Sequence, residues 1–480
     1  MSTRAESASS EIAYLSAATL RELYAKRVLS PVEVTSNLLE RAEALNPELQ
    51  AFVTITPEVA LAQARRAEAS FRSGTEGAGI LAGVPITLKD LTPTAGIRTT
   101  FGSLLFEDWV PDFDSPVAER LAAAGAVLLG KTTTPEFGWK GDSGNRVNGP
   151  ARNPWNTSLT AGGSSGGAGA AVAAGIGPIA QGTDGAGSIR IPASLCGVFG
   201  FKPSFGLVPS YPPPASGMGH VGPLTRTVLD AALFLDATAG PDSRDRFSLN
   251  RTSVLFAKLD ASIEGVRVGW TADLGYGNVE PEVVEVAKSA LSALAEAGCV
   301  VEEIALELDD PLPAVEIIWT TAQAALHRTD LEVVRDRLDP GRLTVIERGL
   351  QFTGAELAGA RLDADAFSEK LRGVFDRYDV LALPTLPVTA FAAGADHPTT
   401  VNGREATVLS WLQLVYPFNV TTQPAASIPA GWTEAGMPVG VQIVGAWRDD
   451  QLVLRAAGEI ERRRPWQTGV PLLPRSKRDS

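Results

Sequence analysis

Residues 161–190 read AGGSSGGAGAAVAAGIGPIAQGTDGAGSIR and hold two glycine-flanked serine sites, Ser164-Ser165 and Ser188. Glycine beside a reactive serine lets the backbone come close to a substrate. Successive backbone N–H groups, here those of Gly185, Ala186, Gly187 and Ser188, suit an oxyanion hole. A serine nucleophile also needs a base. The three histidines, His220, His327 and His397, lie in unrelated Gly/Pro-rich or helical settings. Lys89 is the better candidate, because it closes the apolar run VPITL at 84–88. There its ammonium would lose solvation, and desolvation lowers a lysine pKa until the neutral amine can act as a base. Each feature has a plainer reading: a Gly-rich packing turn, and a lysine lying along a strand end.

GGSSGG (162–167), then GTDGAGSIRIPASLCGVFGFKPS (182–204), with Lys89 upstream in GVPITLKD, resembles the amidase signature family of Ser–Ser–Lys hydrolases. The resemblance runs over most of the chain, through GKTTTPEFGWKGD (130–142), NPWN (153–156) and NVTTQPAASIPAGWTEAGMPVGVQIVG (419–445). It implies that Ser188 is the acyl-accepting nucleophile, Ser164 the bridging serine and Lys89 the base. It implies a cis peptide bond between Gly163 and Ser164, and the 24-residue separation of the two serines fits the family. Supporting roles would fall to Ser165, hydrogen-bonding the lysine or the bridging serine, to Thr183, and to Asp184 and Arg190, holding the nucleophile's loop. Ala186 departs from the family, where glycine is usual; its N–H still serves an oxyanion if its φ is negative.

The activity implied is hydrolysis of carboxylic amide C–N bonds through a serine acyl-enzyme, on small or aryl amides. The same machinery acting on carbamates (urethanes) or esters is the alternative. An amidase subunit of a transamidation complex is a further one, which needs partner subunits that nothing in the chain specifies. No cofactor and no metal are expected, because His and Cys are few and scattered.

Two motifs compete. GAVLLGKT (125–132) matches the phosphate-binding G-x-x-x-x-G-K-[ST]. That loop needs a strand before its first glycine and a helix after its lysine, whereas here the apolar run lies between the glycines and TTTPEF follows. Gly163 to Gly167 also matches G-x-S-x-G with Ser165 central, but NPWNTSLTA is not the apolar strand that a nucleophile elbow requires.

Composition narrows the partners. The 480 residues carry 42 Lys+Arg against 55 Asp+Glu, a net charge of −13. This is a poor balance for sequence-independent binding to nucleic acid or to anionic membranes. Cys196 and Cys299 are too few for a disulfide framework or a four-cysteine zinc site. No run of 18 apolar residues and no signal-type N-terminus is present, so a cytoplasmic protein with a small-molecule substrate is expected. A homodimer is one possible assembly that no segment specifies.

Elements must then bring Lys89, Ser164 and Ser188 together. Ser30-Pro31 with Glu33, Thr56-Pro57-Glu58 and Ser115-Pro116 mark helix starts, the first as a capping box. Buried strands are expected at 84–88, 126–129, 265–270, 299–304, 379–385 and 440–445, and helices at about 281–297 and 451–463. Alternating strands and helices predict an α/β fold: a large mixed, mainly parallel sheet between helices. The whole chain, 1–480, reads as a single amidase domain. Its parts are an N-terminal helical part (about 1–75), a signature core (about 76–230) and a helical insertion (about 310–375). Candidate pocket walls are 136–146, 209–219, 310–375 and the segment from Trp411 to Phe418, with Trp139, Tyr211, Trp319, Trp411, Tyr416 and Phe418 as candidate lining.

Overall fold

Proline at the first helical position fixes φ where a helix begins, and it starts α1 (Pro31–Leu49), α2 (Pro57–Ser73) and α3 (Pro116–Ala123). The computed structural model describes residues 12–74, 79–250, 259–466 and 470–471. Ser30 caps α1 by accepting from Val32 and Glu33 N–H. The reciprocal half of the expected capping box, Ser30 N–H to the Glu33 carboxylate, is not made, and the Ser30 hydroxyl donates to Glu68 on α2 at 2.5 Å. Val34, Leu38, Ala42 and Leu45, spaced along one face of α1, are buried.

Eleven strands form one sheet. In chain order they are β1 (Phe52–Ile55), β2 (Pro85–Lys89), β3 (Val127–Thr132), β4 (Ile179–Asp184), β5 (Phe199–Lys202) and β6 (His220–Thr225), then β7 (Arg267–Trp270), β8 (Val300–Glu303), β9 (Val380–Pro384), β10 (Ala425–Trp432) and β11 (Pro438–Gly445). Their order across the sheet is β1-β3-β2-β4-β6-β5-β10-β11-β9-β7-β8. The sheet is mixed, as expected, but parallel pairing is confined to β3-β2-β4 and to β9-β7-β8. The remaining neighbours pair antiparallel, so the sheet is less parallel than the alternation of elements suggested. The helix expected over 281–297 is broken at Ala290 into Pro281–Ser289 and Leu291–Glu296.

Side chains of a strand alternate between faces. Thus β3 gives Leu128 to one apolar cluster, shared with α3, and Val127 and Leu129 to another, shared with α1 and α2. Helices therefore cover both faces. Further along the chain, α4 (Gly166–Ala173) and α5 (Arg190–Cys196) pack near β4 and β5, and α6 (Leu312–Ala325), α7 (Pro340–Gly349) and α8 (Gly354–Phe375) occupy the expected helical insertion. A third cluster joins α6 and α8 to Trp139, Ala186 and Trp411. No described helix is long and apolar enough to cross a membrane.

The consequence for the site is positional. β2 and β4 are parallel neighbours, with Ile86 opposite Ile179 and Leu88 opposite Gln181. Their carboxyl ends therefore deliver Lys89 and Thr183-Asp184 to the same edge of the sheet, the end where open α/β sheets hold ligands.

Candidate active site

Lys89 is the last residue of β2 and is wholly buried. Its Nζ lies 2.6 Å from Ser164 Oγ and 2.9 Å from Thr183 Oγ1. Its own N–H donates to Gln181 Oε1 on the neighbouring strand at 3.0 Å, which fixes the strand end. Burial drives the Lys89 ammonium well below its ordinary range, and the Asp184 carboxylate pulls the other way without overcoming it. Ser164 follows a cis peptide bond from Gly163, in the turn that leads into α4.

Ser188 sits in the turn between β4 and α5 and lines the same cavity as Ser164. No hydrogen bond joins the Ser164 and Ser188 hydroxyls in the structure; both open on that cavity. Catalytic hydrogen bonds are often long without substrate and close only in the complex.

The turn is held from behind. Asp184 and Arg190 are both fully buried and pair in a two-pronged fashion, Nε to Oδ2 and Nη2 to Oδ1, each at 2.9 Å. Burial alone would raise the Asp184 carboxyl; the guanidinium overrides it and holds the group well below the usual carboxylate range. Asn419 completes the bracket, donating to Asp184 Oδ1 at 2.9 Å and accepting from Arg190 Nη2 at 2.6 Å. Arg190 also donates to Gln442 Oε1 at 2.7 Å.

Two expected contacts come out differently. Gly187 N–H is not free, because it donates to Asp184 Oδ1 at 2.7 Å. The N–H groups of Gly185, Ala186 and Ser188 make no hydrogen bond within the described residues. Ser165 reaches neither Lys89 nor Ser164. Its hydroxyl lies against the Thr183 backbone, at 3.2 Å from the carbonyl oxygen and 3.3 Å from the N–H, and its own N–H donates to Ser188 O at 3.2 Å. Thr183 Oγ1 takes the place beside the lysine instead. Ala186 has a negative φ, whereas Gly187 has φ +109°, and a Cβ there would stand 2.5 Å from Val415.

The sequence profile of the amidase family matches residues 33–454. The chain belongs to the amidase family. An acylamidase of Rhodococcus erythropolis is 38% identical over 466 residues, spanning 95% of this chain and 97% of that protein. A glutamyl-tRNA(Gln) amidotransferase subunit from a Cyanothece species is 36% identical, over 95% and 100% of the two chains. Among solved structures, a bacterial aryl acylamidase of the amidase signature family superposes with TM-score 0.89 at 31% identity, covering 95% and 97%. A 6-aminohexanoate cyclic dimer hydrolase does so with TM-score 0.86 at 31% identity, covering 96% and 99%. The protein is an amidase, a hydrolase of amide bonds.

The amidase's cavity, about 310 Å³, opens over Ser164, Thr183, Gly185 and Ser188. Phe137 and Gly138 line it from the 136–146 segment, Ser210 and Pro212–Ser216 from the 209–219 loop, and Trp319, Ala322, Gln323 and Leu326 from the helical insertion. The segment from Trp411 to Phe418 contributes no lining; Trp411, Tyr416 and Phe418 are core residues beneath, as is Trp139. Tyr211 turns outward and packs edge-on against Phe113.

Sequence reasoning missed Leu91, Phe101 and His220, which line the cavity too. His220 Nδ1 faces two carbonyl oxygens, of Met218 at 2.8 Å and Asp184 at 3.2 Å, so it carries the proton and is tied behind the serine turn. For Phe101 a signal existed: it and Phe137 are each followed by glycine, and both Phe-Gly pairs adopt left-handed backbone, φ +55° and +65° at 101–102 and +50° and +72° at 137–138.

Proposed function

We propose that the amidase hydrolyses uncharged amides bearing an apolar or aromatic group, with Ser188 as nucleophile, Ser164 as proton relay and Lys89 as base. The observation that carries this reading is a fully buried amine 2.6 Å from the Ser164 hydroxyl, at the floor of a cavity that Ser188 also lines. Neutral Lys89 takes the Ser164 proton as Ser164 takes that of Ser188. The Ser188 oxygen attacks the carbonyl carbon, and the new oxyanion is met by backbone N–H groups of Gly185, Ala186 and Ser188. Gly187 N–H, bound to Asp184, shapes the turn instead. The proton returns through Ser164 to the leaving nitrogen, the C–N bond breaks and the amine departs. Water, deprotonated by the same relay, then hydrolyses the acyl ester and restores Ser188.

The cavity lining supports the substrate class. Among the described residues it contains no charged side chain, and Phe101, Phe137, Trp319 and the proline loop supply apolar walls. Strands drawn from residues 52 to 445 into one sheet support reading the whole chain as a single catalytic unit.

A second reading, a glutamine-hydrolysing subunit of a transamidation complex, is favoured by the 36% identity to such a subunit. Free glutamine carries an ammonium and a carboxylate, and among the described residues the cavity lining offers no side chain of opposite charge to either. A panel of p-nitroanilides, aliphatic amides, carbamates, esters and glutamine separates these readings. Turnover of anilides above glutamine is expected, and glutamine as the preferred substrate would reverse the assignment. In the same panel, a carbamate preferred over its matching amide would move the substrate class without touching the relay.

A further inference from the structure

The lysine of the GAVLLGKT motif lies within strand β3 rather than in a loop that opens a helix, and it is wholly buried. Lys131 lies on β3, and its Nζ donates to Thr99 Oγ1 at 2.7 Å, to Thr94 Oγ1 at 3.2 Å and to the Thr92 carbonyl oxygen. All three partners belong to the segment after β2 that carries two cavity residues, Leu91 and Phe101. The same segment is gripped from its other end. Asp90 Oδ2 accepts from Thr100 N–H at 3.0 Å and from the Thr100 hydroxyl, and Asp90 O accepts from Phe101 N–H at 3.0 Å.

What is gripped is a strained residue. Phe101 has φ +55°, and a left-handed backbone is costly for a side chain of this size. Such a conformation persists only where its surroundings over-determine it. The ring it presents is stacked on Phe137 at 5.6 Å between centroids with 3° between planes, and on Trp109 at 5.4 Å. Phe137 N–H donates to Phe101 O at 2.8 Å, which joins the two walls through the backbone.

We propose that Lys131 is a positioning residue. Its ammonium pins residues 92–99 so that Phe101 stands as a fixed aromatic wall of the cavity, and the wall selects substrates with a flat apolar group. This rests on the amidase reading above, with Ser188 as the reactive serine. Lys131 does not touch the reacting atoms; its partners are the three loop oxygens.

The test compares labelling of Ser188 by two fluorophosphonates, one with small alkyl groups and one bearing a phenyl ring, on the full chain. The ratio of the two labelling rates reads wall quality independently of any natural substrate. Lys131→Met is expected to lower the phenyl-to-alkyl ratio about tenfold, the scale on which apolar pockets discriminate, with the alkyl rate changed much less. Phe101→Ala should lower the ratio similarly, and Lys131→Met with Phe101→Ala together should lower it no further, since both remove one wall. Thr99→Val keeps the ammonium and removes one acceptor, so it should lower the ratio about fivefold. An unchanged ratio in Thr99→Val and Lys131→Met, or an equal fall in both rates, overturns the proposal. If Lys131→Met does not fold, Thr99→Val decides on the same ratio. Failure of the unmodified protein to label at Ser188 would instead overturn the reading of the active serine.

Discussion

Two buried lysines stand on neighbouring strands, and their surroundings differ in one decisive way. Lys89 ends β2 and Lys131 lies on β3, with Leu88 opposite Lys131 and Lys89 opposite Thr132. Both are wholly inaccessible to solvent. Burial lowers both, Lys131 to about 8 against the pull of Asp90 and Asp114, and Lys89 well below its ordinary value against Asp184 alone. Yet their partners are unlike. Around Lys131 one oxygen is a carbonyl, and the Thr94 and Thr99 hydroxyls already donate to Thr92 O at 3.0 Å and Ile97 O at 3.1 Å, so all three accept from the ammonium and have no proton to give back. Lys89 meets two hydroxyls, and a hydroxyl can donate as well as accept. Its amine can therefore lose a proton without orphaning a partner. Burial makes a lysine easier to deprotonate; partners that can reverse their hydrogen bonds make it usable as a base.

The sharpest way to break this comparison is to remove each amine in turn. Lys89→Met should cut kcat by about 10³-fold or more, the upper range for a general base. Lys131→Met should leave kcat near that of the parent on a small substrate. The pH profile carries the same distinction with a definite sign. The proposed relay needs neutral Lys89, so kcat/KM should rise with pH through the Lys89 pKa, on a limb well below the 10.5 of an exposed lysine. A limb that instead falls as pH rises over that range would remove the neutral amine from the mechanism.

Asp184 supplies the next largest effect, on stability. It is the carboxylate facing Lys89 and the partner of buried Arg190, and it also holds Gly187 N–H and Asn419. Asp184→Asn leaves the guanidinium uncompensated, which should cost about 3–5 kcal/mol of folding stability, measured by denaturant unfolding. A loss below 1 kcal/mol, about the worth of an exposed pair, would mean that Gln442 and Asn419 hold Arg190 without it.

Much of this was legible in the residues. Proline starts placed α1, α2 and α3, and apolar runs placed β2, β7, β8, β9 and β11 to within a residue or two. The serine turns and Lys89 stand out in the sequence because glycine spacing and a charge at the end of an apolar run are local signals. What escaped was long-range. Whether β4 pairs antiparallel with β6 depends on how the chain returns after α5, which no local pattern states. Asn419 and Gln442 brace Arg190 from more than 200 residues away. Lys131 was visible only as half of a phosphate-loop motif, because its partners at 92, 94 and 99 meet it through the fold. Gly187 was assigned as a free donor because composition shows where N–H groups are dense, not which of them a neighbouring carboxylate has taken.

The smallest expected effect extends the same contrast, between groups already committed and groups left free, to adjacent positions of one turn. Ala186 has a negative φ and an N–H with no partner among the described residues, so its methyl group obstructs neither the backbone nor an oxyanion. Ala186→Gly should keep the amidase activity within about twofold and cost about 0.4–1 kcal/mol through the freer unfolded chain. Gly187→Ala should behave oppositely: its φ of +109° and the 2.5 Å approach of Val415 leave no room for a Cβ, so the turn must shift. That shift moves Ser188 while leaving the N–H of Ala186 in place, so kcat should fall in Gly187→Ala and hold in Ala186→Gly. Equal kcat in the two variants would show that the turn tolerates displacement, and that the bracket of Asp184, Arg190 and Asn419 does not set the position of Ser188.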